Sequence, residues 1–419
     1  MLLRFEATNH RSIMAPVELS MIAVDDDRPA TRGFERIAER ALTVAAIYGP
    51  NASGKSNVLD ALHWLSTAVG ESLRQWDDHV PRRPFRFGDG PATASTFEVE
   101  MMIGEIRYEY HVEVDDSAVL FECLYSYPER RRRVLFERAG MELILRRGLS
   151  ALSGTRDLLT PTTLALSAAL RFDEQEVGAF GRALAGIGAL SKRMPDRLPS
   201  WFAERLPSRA LIGAAATSQI FEDSEDAVGA DVEERNIALG MLRLADLGID
   251  DVEITDDGLE LAPRLRLVHH ASGQRLPFEI ADESAGTRTW FALIGPVLGA
   301  LRTGQVLLFD EIDASLHPRL SAHLLGLFQA PETNPRGAQL VFTTHDTSLL
   351  GHLNRDEVWL TEKGDDGATR LTALAEYGGD KVRRSMNLER AYLQGRFGAV
   401  PQVDELALRQ ALGLASGGN

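Results

Sequence analysis

The chain has one cysteine, Cys123, in 419 residues. That excludes an internal disulfide and any metal site made of cysteines alone. Long apolar runs are missing too, since nothing approaches the ~18 consecutive residues of a membrane-spanning helix. The opening segment MLLRFEATNHRSI has polar residues where a secretion signal has its apolar centre, so no signal peptide is expected. No internal repeat and no sustained heptad occurs, which removes repeat arrays and long coiled coils. These absences together predict a cytoplasmic protein with no membrane partner.

Basic charge is also in short supply. The 45 Lys and Arg face 61 Asp and Glu, a net charge of −16. Such a surface repels phosphate backbones on average, so a general nucleic-acid coat is excluded, while a local basic patch is not. The run ERRRRVLFER (Glu129 to Arg138) is the one obvious basic segment. It is either a solvated turn entering a strand or a local phosphate contact.

What is present is ordinary globular material. The chain is 44% apolar and 25% charged, and long enough for two or three structural units. The first forty residues read as short strands. ALTVAAIY (Ala41 to Tyr48) is an apolar run of strand length ending at Gly49. Val58, Leu62, Leu65 and Val69 then mark one face of a helix. Phe97, Val99, Met101 and Ile103 alternate with polar residues, Gly104-Glu105 intervene, and Ile106 to Val114 alternate again, which predicts a hairpin with a type II′ turn. A second hairpin is expected around Ala139-Gly140. From about Thr155 to Leu247 the pattern is mainly helical, and strands return at VEITDDGLELAPRLRLVHH with Asp257-Gly258 as a turn. Two more apolar strands, QVLLFDE and AQLVFTTH, are each expected to lead into a helix.

YGPNASGKSNVLDAL begins at position 48, and its Gly49, Gly54, Lys55 and Ser56 satisfy the Walker A pattern between a strand and a helix. Glycines let backbone N–H groups converge on phosphate oxygens, and the helix N-terminus adds its dipole. Lys55 would bridge the β- and γ-phosphates of ATP, and the Ser56 hydroxyl would ligate Mg²⁺. Pro50, Asn51, Ala52, Ser53 and Asn57 complete the expected nucleotide-binding segment. VLLFDEIDASLHP sets Asp310 and Glu311 at the end of an apolar strand. Asp310 suits Mg²⁺, because a hard cation prefers carboxylate oxygen, and Glu311 can polarise an attacking water. LVFTTHDTSLL delivers His345 to a loop at a strand edge, where it could contact the γ-phosphate or orient water. ADESAGTRTWFALIGPVL places Ser284 and Gly286 at a helix start. That is either an anion site serving a second copy of the chain or an ordinary helix cap.

This order of motifs resembles the ABC-type ATPase heads of the Rad50, RecF and SMC group. NHRSI (Asn9 to Ile13) is similar to the segment that opens those heads, which implies a nucleotide contact for Arg11. ESAGT, DEIDASLHP and RAYLQGRFGAVP resemble the AAA-family RloA-like, AbiL-like and overcoming-lysogenization-type (OLD-type) ATPases of bacterial abortive-infection defence. The resemblance implies an α/β P-loop NTPase with a mixed sheet, an antiparallel β subdomain and an inserted helical subdomain. Its parts would be an N-terminal lobe (1–150), the helical insertion (151–250), a C-terminal lobe (251–375) and a tail (376–419). It further implies a head-to-tail homodimer with ATP and Mg²⁺ sandwiched between the Walker A segment of one copy and Ser284-Gly286 of the other. The loop Ala314 to His317 would cross that interface. The transporter signature, a Cys-x-x-Cys hook and an identifiable Q-loop glutamine are all missing.

Three functions follow as expectations. One is an ATP-hydrolysing switch in antiphage defence that controls a separate effector encoded nearby. A second is a RecF-like repair ATPase binding DNA through the Arg130 to Arg133 run. The third, a transporter's energy subunit, is disfavoured by the signature and the insertions. The tail is either a docking element or a helix packed on its own domain.

Overall fold

Apolar runs buried on both faces become a central sheet, and alternating runs become a second, one-sided sheet against it. The computed structural model describes residues 1–25, 28–129, 131–190, 236–245, 248–255, 264–314, 316–377 and 388–397. Among them the central sheet has the order Gly188–Leu190, Val306–Phe309, Gln339–Thr343, Val44–Tyr48, Val358–Lys363, Thr369–Ala373. Its first five strands run parallel and the last is antiparallel. Ala45, Ile47, Leu308 and Val341 bury on one face with the helix Lys55–Gln75, whereas Val44, Ala46, Leu307 and Phe342 bury on the other with the helices Ala285–Thr303 and Pro318–Gln329.

The second sheet is antiparallel, in the order Glu142–Leu145, Arg133–Ala139, Val119–Tyr127, Ile106–Val114, Ser95–Ile103, Leu2–Thr8, Val17–Ser20. Phe5, Phe97, Val99 and Tyr110 from its inner face share a core with Val58, Leu62, Leu65 and Val69 of the helix Lys55–Gln75. The turn at Gly104-Glu105 closes on the pair Ile103 and Ile106, with only Gly104 at positive φ (60°), as a type II′ turn requires. This is the P-loop α/β class with an antiparallel β portion, as expected from the sequence.

Several local expectations are corrected. The strand expected over Ala41 to Tyr48 starts at Val44. Thr43 turns its N–H and hydroxyl to the Ala30 carbonyl, and Arg40–Leu42 pairs instead with Thr31–Gly33. The second hairpin turns one residue later, at Gly140-Met141, because Glu142 opposes Ala139. The segment expected to be helical from Thr155 contains the short helices Thr155–Leu158 and Ala165–Ala169 and the longer Gln175–Ala185, then the edge strand Gly188–Leu190. Leu166, Val177, Phe180 and Leu184 lie in the same core as the helix Lys55–Gln75, so these helices extend the first lobe rather than form a layer apart. Residues 236–245 are helical. A third strand, Gln274–Glu279, joins Ile249–Thr255 and Arg264–Ala271 through a turn with both Ser272 and Gly273 at positive φ. The strand Gln339–Thr343 leads into a 3₁₀ segment, Thr347–His352, in place of an α-helix. Asp257-Gly258, Arg130 and most of the tail lie outside the described residues. Of the tail, Leu388–Leu393 is helical, and Ala391, Tyr392 and Phe397 join the core that also holds Tyr48 and Leu349.

Buried charges tie the layers. Glu122 accepts the N–H groups of Ala165 and Leu166 and the Tyr110 hydroxyl, 3.6 Å from Arg138. Where the strand Val358–Lys363 begins, Glu357 sits fully buried, 3.1 Å from Arg28, and accepts the Asn354 N–H. Burial pushes the Glu357 carboxyl up to about 7, against the pull of Arg28. Its folded-state value exceeds the unfolded one, so the folded chain holds the extra proton, and stability falls as pH rises from about 4.5 to about 7. The expected loss is about 1–3 kcal/mol. Urea unfolding of Glu357→Gln should show a flatter pH dependence across that window, and an identical slope would contradict the assignment.

Candidate functional site

A parallel sheet presents the ends of its strands at one edge, and loops leaving that edge meet there. Tyr48 ends its strand at the loop Gly49 to Gly54, Phe309 ends its strand at Asp310, and Thr343 ends the strand between them. The order of strands alone therefore brings three distant sequence segments together.

The loop is held in conformations that most residues avoid. Gly49 has φ 153°, Ala52 62° and Gly54 105°. A Cβ on Gly49 would collide with Thr361, and one on Gly54 with Thr369 Oγ1. Lys55 follows as the first helical residue, is 6% exposed, and donates from Nζ to the carbonyls of Gly49 (2.9 Å) and Pro50 (3.0 Å). Burial lowers its pKa, while Glu311, Asp310 and Asp313 pull the other way. An ammonium in that setting draws stability from added negative charge, which a triphosphate supplies.

One turn of chemistry lies beside it. The Ser56 hydroxyl donates to Asp310 Oδ1 at 2.8 Å, across 254 residues of sequence. The same oxygen accepts the Thr343 hydroxyl at 2.6 Å, and Thr343 Oγ1 accepts the Glu311 N–H at 2.7 Å. Thr343 is fully buried, so it clamps both acidic residues from the intervening strand. Glu311 takes φ 55°, which bends the chain off the strand line at that residue. Beyond it, His345 is exposed and its N–H donates to Asp313 Oδ1 at 3.2 Å.

A hydroxyl and a carboxylate within one hydrogen bond of each other are the donor set that Mg²⁺ takes when phosphates and water fill its remaining positions. Among the described residues no group of three His, Cys, Asp or Glu side chains could hold a metal. Ser56 and Asp310 would thus be the protein's share, and nucleotide oxygens the rest. The glycine cradle and the buried Lys55 fit the same ligand.

Other expected site residues have distinct places. The Ser53 and Asn57 side chains turn away from the cradle, to Thr361 Oγ1 and Ser12 Oγ, so any phosphate contact from these two positions would come from backbone N–H groups. Pro50 is half-buried and Asn51 and Ala52 are exposed at the loop tip. Arg11 donates from Nε and Nη2 to both oxygens of Asp60, one helical turn beyond Ser56, and His10 Nε2 lies 2.7 Å from the same carboxylate. Burial would raise Asp60, but the hydrogen bonds of His10 and Arg11 outweigh it and hold the carboxyl below its usual value. Ser284 caps the helix Ala285–Thr303 by accepting the Thr287 N–H at 3.1 Å. Ser284 is also exposed and Gly286 half-buried, so the cap leaves that helix end facing solvent. Among the described residues Ser284 hydrogen-bonds Thr287 and makes no hydrogen bond to the Lys55 loop of the same chain. In the expected interface loop, Ala314 is exposed and His317 caps the helix Pro318–Gln329 through Nδ1.

Of the basic run, Arg133 is held by Glu176 at 2.7 Å and Arg132 lies 4.6 Å over the Tyr125 ring. Sequence reasoning missed Thr343, Thr361, Thr369, Ser12 and Asp60. A doubled Thr ahead of His345 was the visible trace of Thr343, Ser12 and Asp60 stood inside the segments NHRSI and YGPNASGKSNVLDAL, and Thr361 and Thr369 carried no trace.

The sequence from 44 to 351 matches the family model described as "AAA domain, putative AbiEii toxin, Type IV TA system". No curated protein matches. Solved structures with similar shape include an SMC head bound to the C-terminal winged-helix domain of ScpA (13% identity, 89% of this chain and 97% of that one, TM-score 0.44). The SMC head domain from Thermotoga maritima is another (13% identity, 89% and 98%, TM-score 0.40). A third is the Smc head with an extended coiled coil bound to the ScpA C-terminal domain derived from Pyrococcus furiosus (14% identity, 90% and 97%, TM-score 0.42). No helix among the described residues is long and apolar enough to cross a membrane.

Gly54→Ala should weaken nucleotide binding about ten- to a hundredfold, because the new Cβ meets Thr369 while the backbone is held at φ 105°. Equilibrium titration with a fluorescent ATP analogue checks this, and unchanged affinity would refute the cradle geometry.

Proposed function

The chain belongs to the AAA-domain family of the AbiEii type, and on that footing we propose that it is a Mg²⁺-dependent, ATP-hydrolysing head of the ABC type that works as a two-copy switch. The observation that carries the reading is the Ser56–Asp310 hydrogen bond beside Lys55, with Glu311 next in sequence and fixed by Thr343. A charged phosphate binder, two oxygen ligands and a carboxylate lie at one sheet edge.

The division of labour follows from chemistry. Lys55 and the loop N–H groups hold the β- and γ-phosphates. Ser56 and Asp310 would hold Mg²⁺, which when bound would supply positive charge to compensate the phosphoryl group. Glu311 orients water and accepts its proton, with His345 at the γ-phosphate side. Ser284 and Gly286 cap the γ-phosphate of a second copy. The solvent-facing N-terminus of the helix Ala285–Thr303 supports that role, since its positive end suits an anion. ATP would then join two heads and its hydrolysis release them.

The family description names a toxin of a toxin–antitoxin system, which supports a defence role better than a housekeeping one. In that role the cytoplasmic head controls a separate effector encoded nearby, and a pull-down from infected and uninfected cells would identify it. The repair reading has less support, because Arg132 and Arg133 are engaged within the chain and the net charge is −16.

Glu311→Gln should bind Mg-ATP yet lower phosphate release by about 10² or more, and accumulate a closed dimer visible by light scattering. Turnover at the parental rate would remove Glu311 from the base role. Ser284→Arg should abolish turnover while each protomer still binds ATP, and Lys55→Ala should lose binding altogether. Cooperative turnover in Ser284→Arg would contradict the shared site.

A further inference from the structure

The loop Gly49 to Gly54 has internal hydrogen bonds, from the Ser53 N–H and Lys55 Nζ to the Pro50 carbonyl, and is also contacted by a neighbouring hairpin. We propose that Thr361 and Thr369, on the hairpin formed by Val358–Lys363 and Thr369–Ala373, are the positioning residues that fix it, both acting through Ser53. The inference rests on the nucleotide-binding reading above and assigns that site residues which lie outside its recognised motifs.

The hairpin reaches the loop through sheet register. Leu360 pairs with Tyr48, so Thr361 falls beside Gly49, where the loop leaves the strand. Lys363 pairs with Thr369 in the antiparallel partner, which brings Thr369 back over Gly54. Both threonines are buried, at 0% and 3% exposure, and neither belongs to a recognised ATPase motif.

Proton counting gives the contacts a direction. A hydroxyl has one proton to donate. Thr361 gives its proton to the Tyr48 carbonyl at 3.1 Å, so in the 2.6 Å contact with Ser53 Oγ it must be the acceptor. Thr369 gives its proton to the Ser53 carbonyl at 2.8 Å, so Ser12 Oγ, 2.6 Å away, donates to Thr369. Ser12 in turn accepts the Asn57 amide at 2.6 Å. Two one-way chains result: Asn57 to Ser12 to Thr369 to the Ser53 carbonyl, and the Ser53 hydroxyl to Thr361 to the Tyr48 carbonyl.

Ser53 is 2% exposed and is gripped at both its hydroxyl and its carbonyl. Its peptide plane is therefore fixed, and with it the N–H of Gly54, which leads into Lys55 and Ser56. The Ser12 carbonyl also accepts the Thr369 N–H at 2.7 Å, so the turn that bears Arg11 hangs on the same hairpin. A loop of this strain kept rigid by neighbours binds without having to order itself first.

The test uses full-length protein and equilibrium binding of the non-hydrolysable β,γ-imido analogue of ATP with Mg²⁺. Thr369→Val keeps volume and β-branching but removes the donor, so affinity should fall about tenfold with turnover at saturation changed less than about threefold. Thr369→Ser restores the hydroxyl and should return to within about twofold of the parent. Thr361→Val, an independent variant should Thr369→Val fold poorly, should show the same loss, with the folded fraction measured by circular dichroism. Parental affinity in folded Thr369→Val and Thr361→Val, or Thr369→Ser as weak as Thr369→Val, would overturn the proposal alone. A parent chain that binds no nucleotide, indistinguishable from Lys55→Ala, would overturn both this and the ATPase reading.

Discussion

The site depends on one constraint: three parallel strands end at the same edge, and the middle one closes with a buried hydroxyl. Thr343 lies between the strand that feeds the phosphate loop and the strand that feeds Asp310. Because its single oxygen both donates to Asp310 and accepts from the Glu311 backbone, these two acidic residues share one anchor. A strand inserted at that place in the sheet would separate Ser56 from Asp310, whatever the loops contained.

Away from that edge the protein uses buried polar groups for position more than for stability. Glu122 and Glu357 are each surrounded by several donors, yet burial still raises both, so neither is there as a simple stabilising ion pair. Asp60 is the opposite case, where His10 and Arg11 outweigh burial. Its effect is to hold the Arg11 guanidinium against the second turn of the helix Lys55–Gln75.

What the sequence disclosed depended on periodicity and on residue types with a restricted use. Gly49, Gly54, Lys55 and Ser56 were legible because few other arrangements need glycine and lysine at that spacing. The Gly104 hairpin was legible because alternation broke there for two residues only. The strand Gly188–Leu190 was not legible, since three residues between helical runs carry no period and its place is set by pairing with Val306–Phe309. Thr361 and Thr369 were invisible for another reason. Threonine is common in strands, and its use here is fixed by register with a strand some three hundred residues earlier.

The separations themselves have a consequence for synthesis. Ser53 meets its carbonyl brace 316 residues later in the chain, and Ser56 meets its acidic partner 254 residues later. A nascent polypeptide emerging from the ribosome therefore carries the glycine loop long before anything can lock it. Locking of the loop must wait until Thr369 has been made, and contacts of such long range make that step slow.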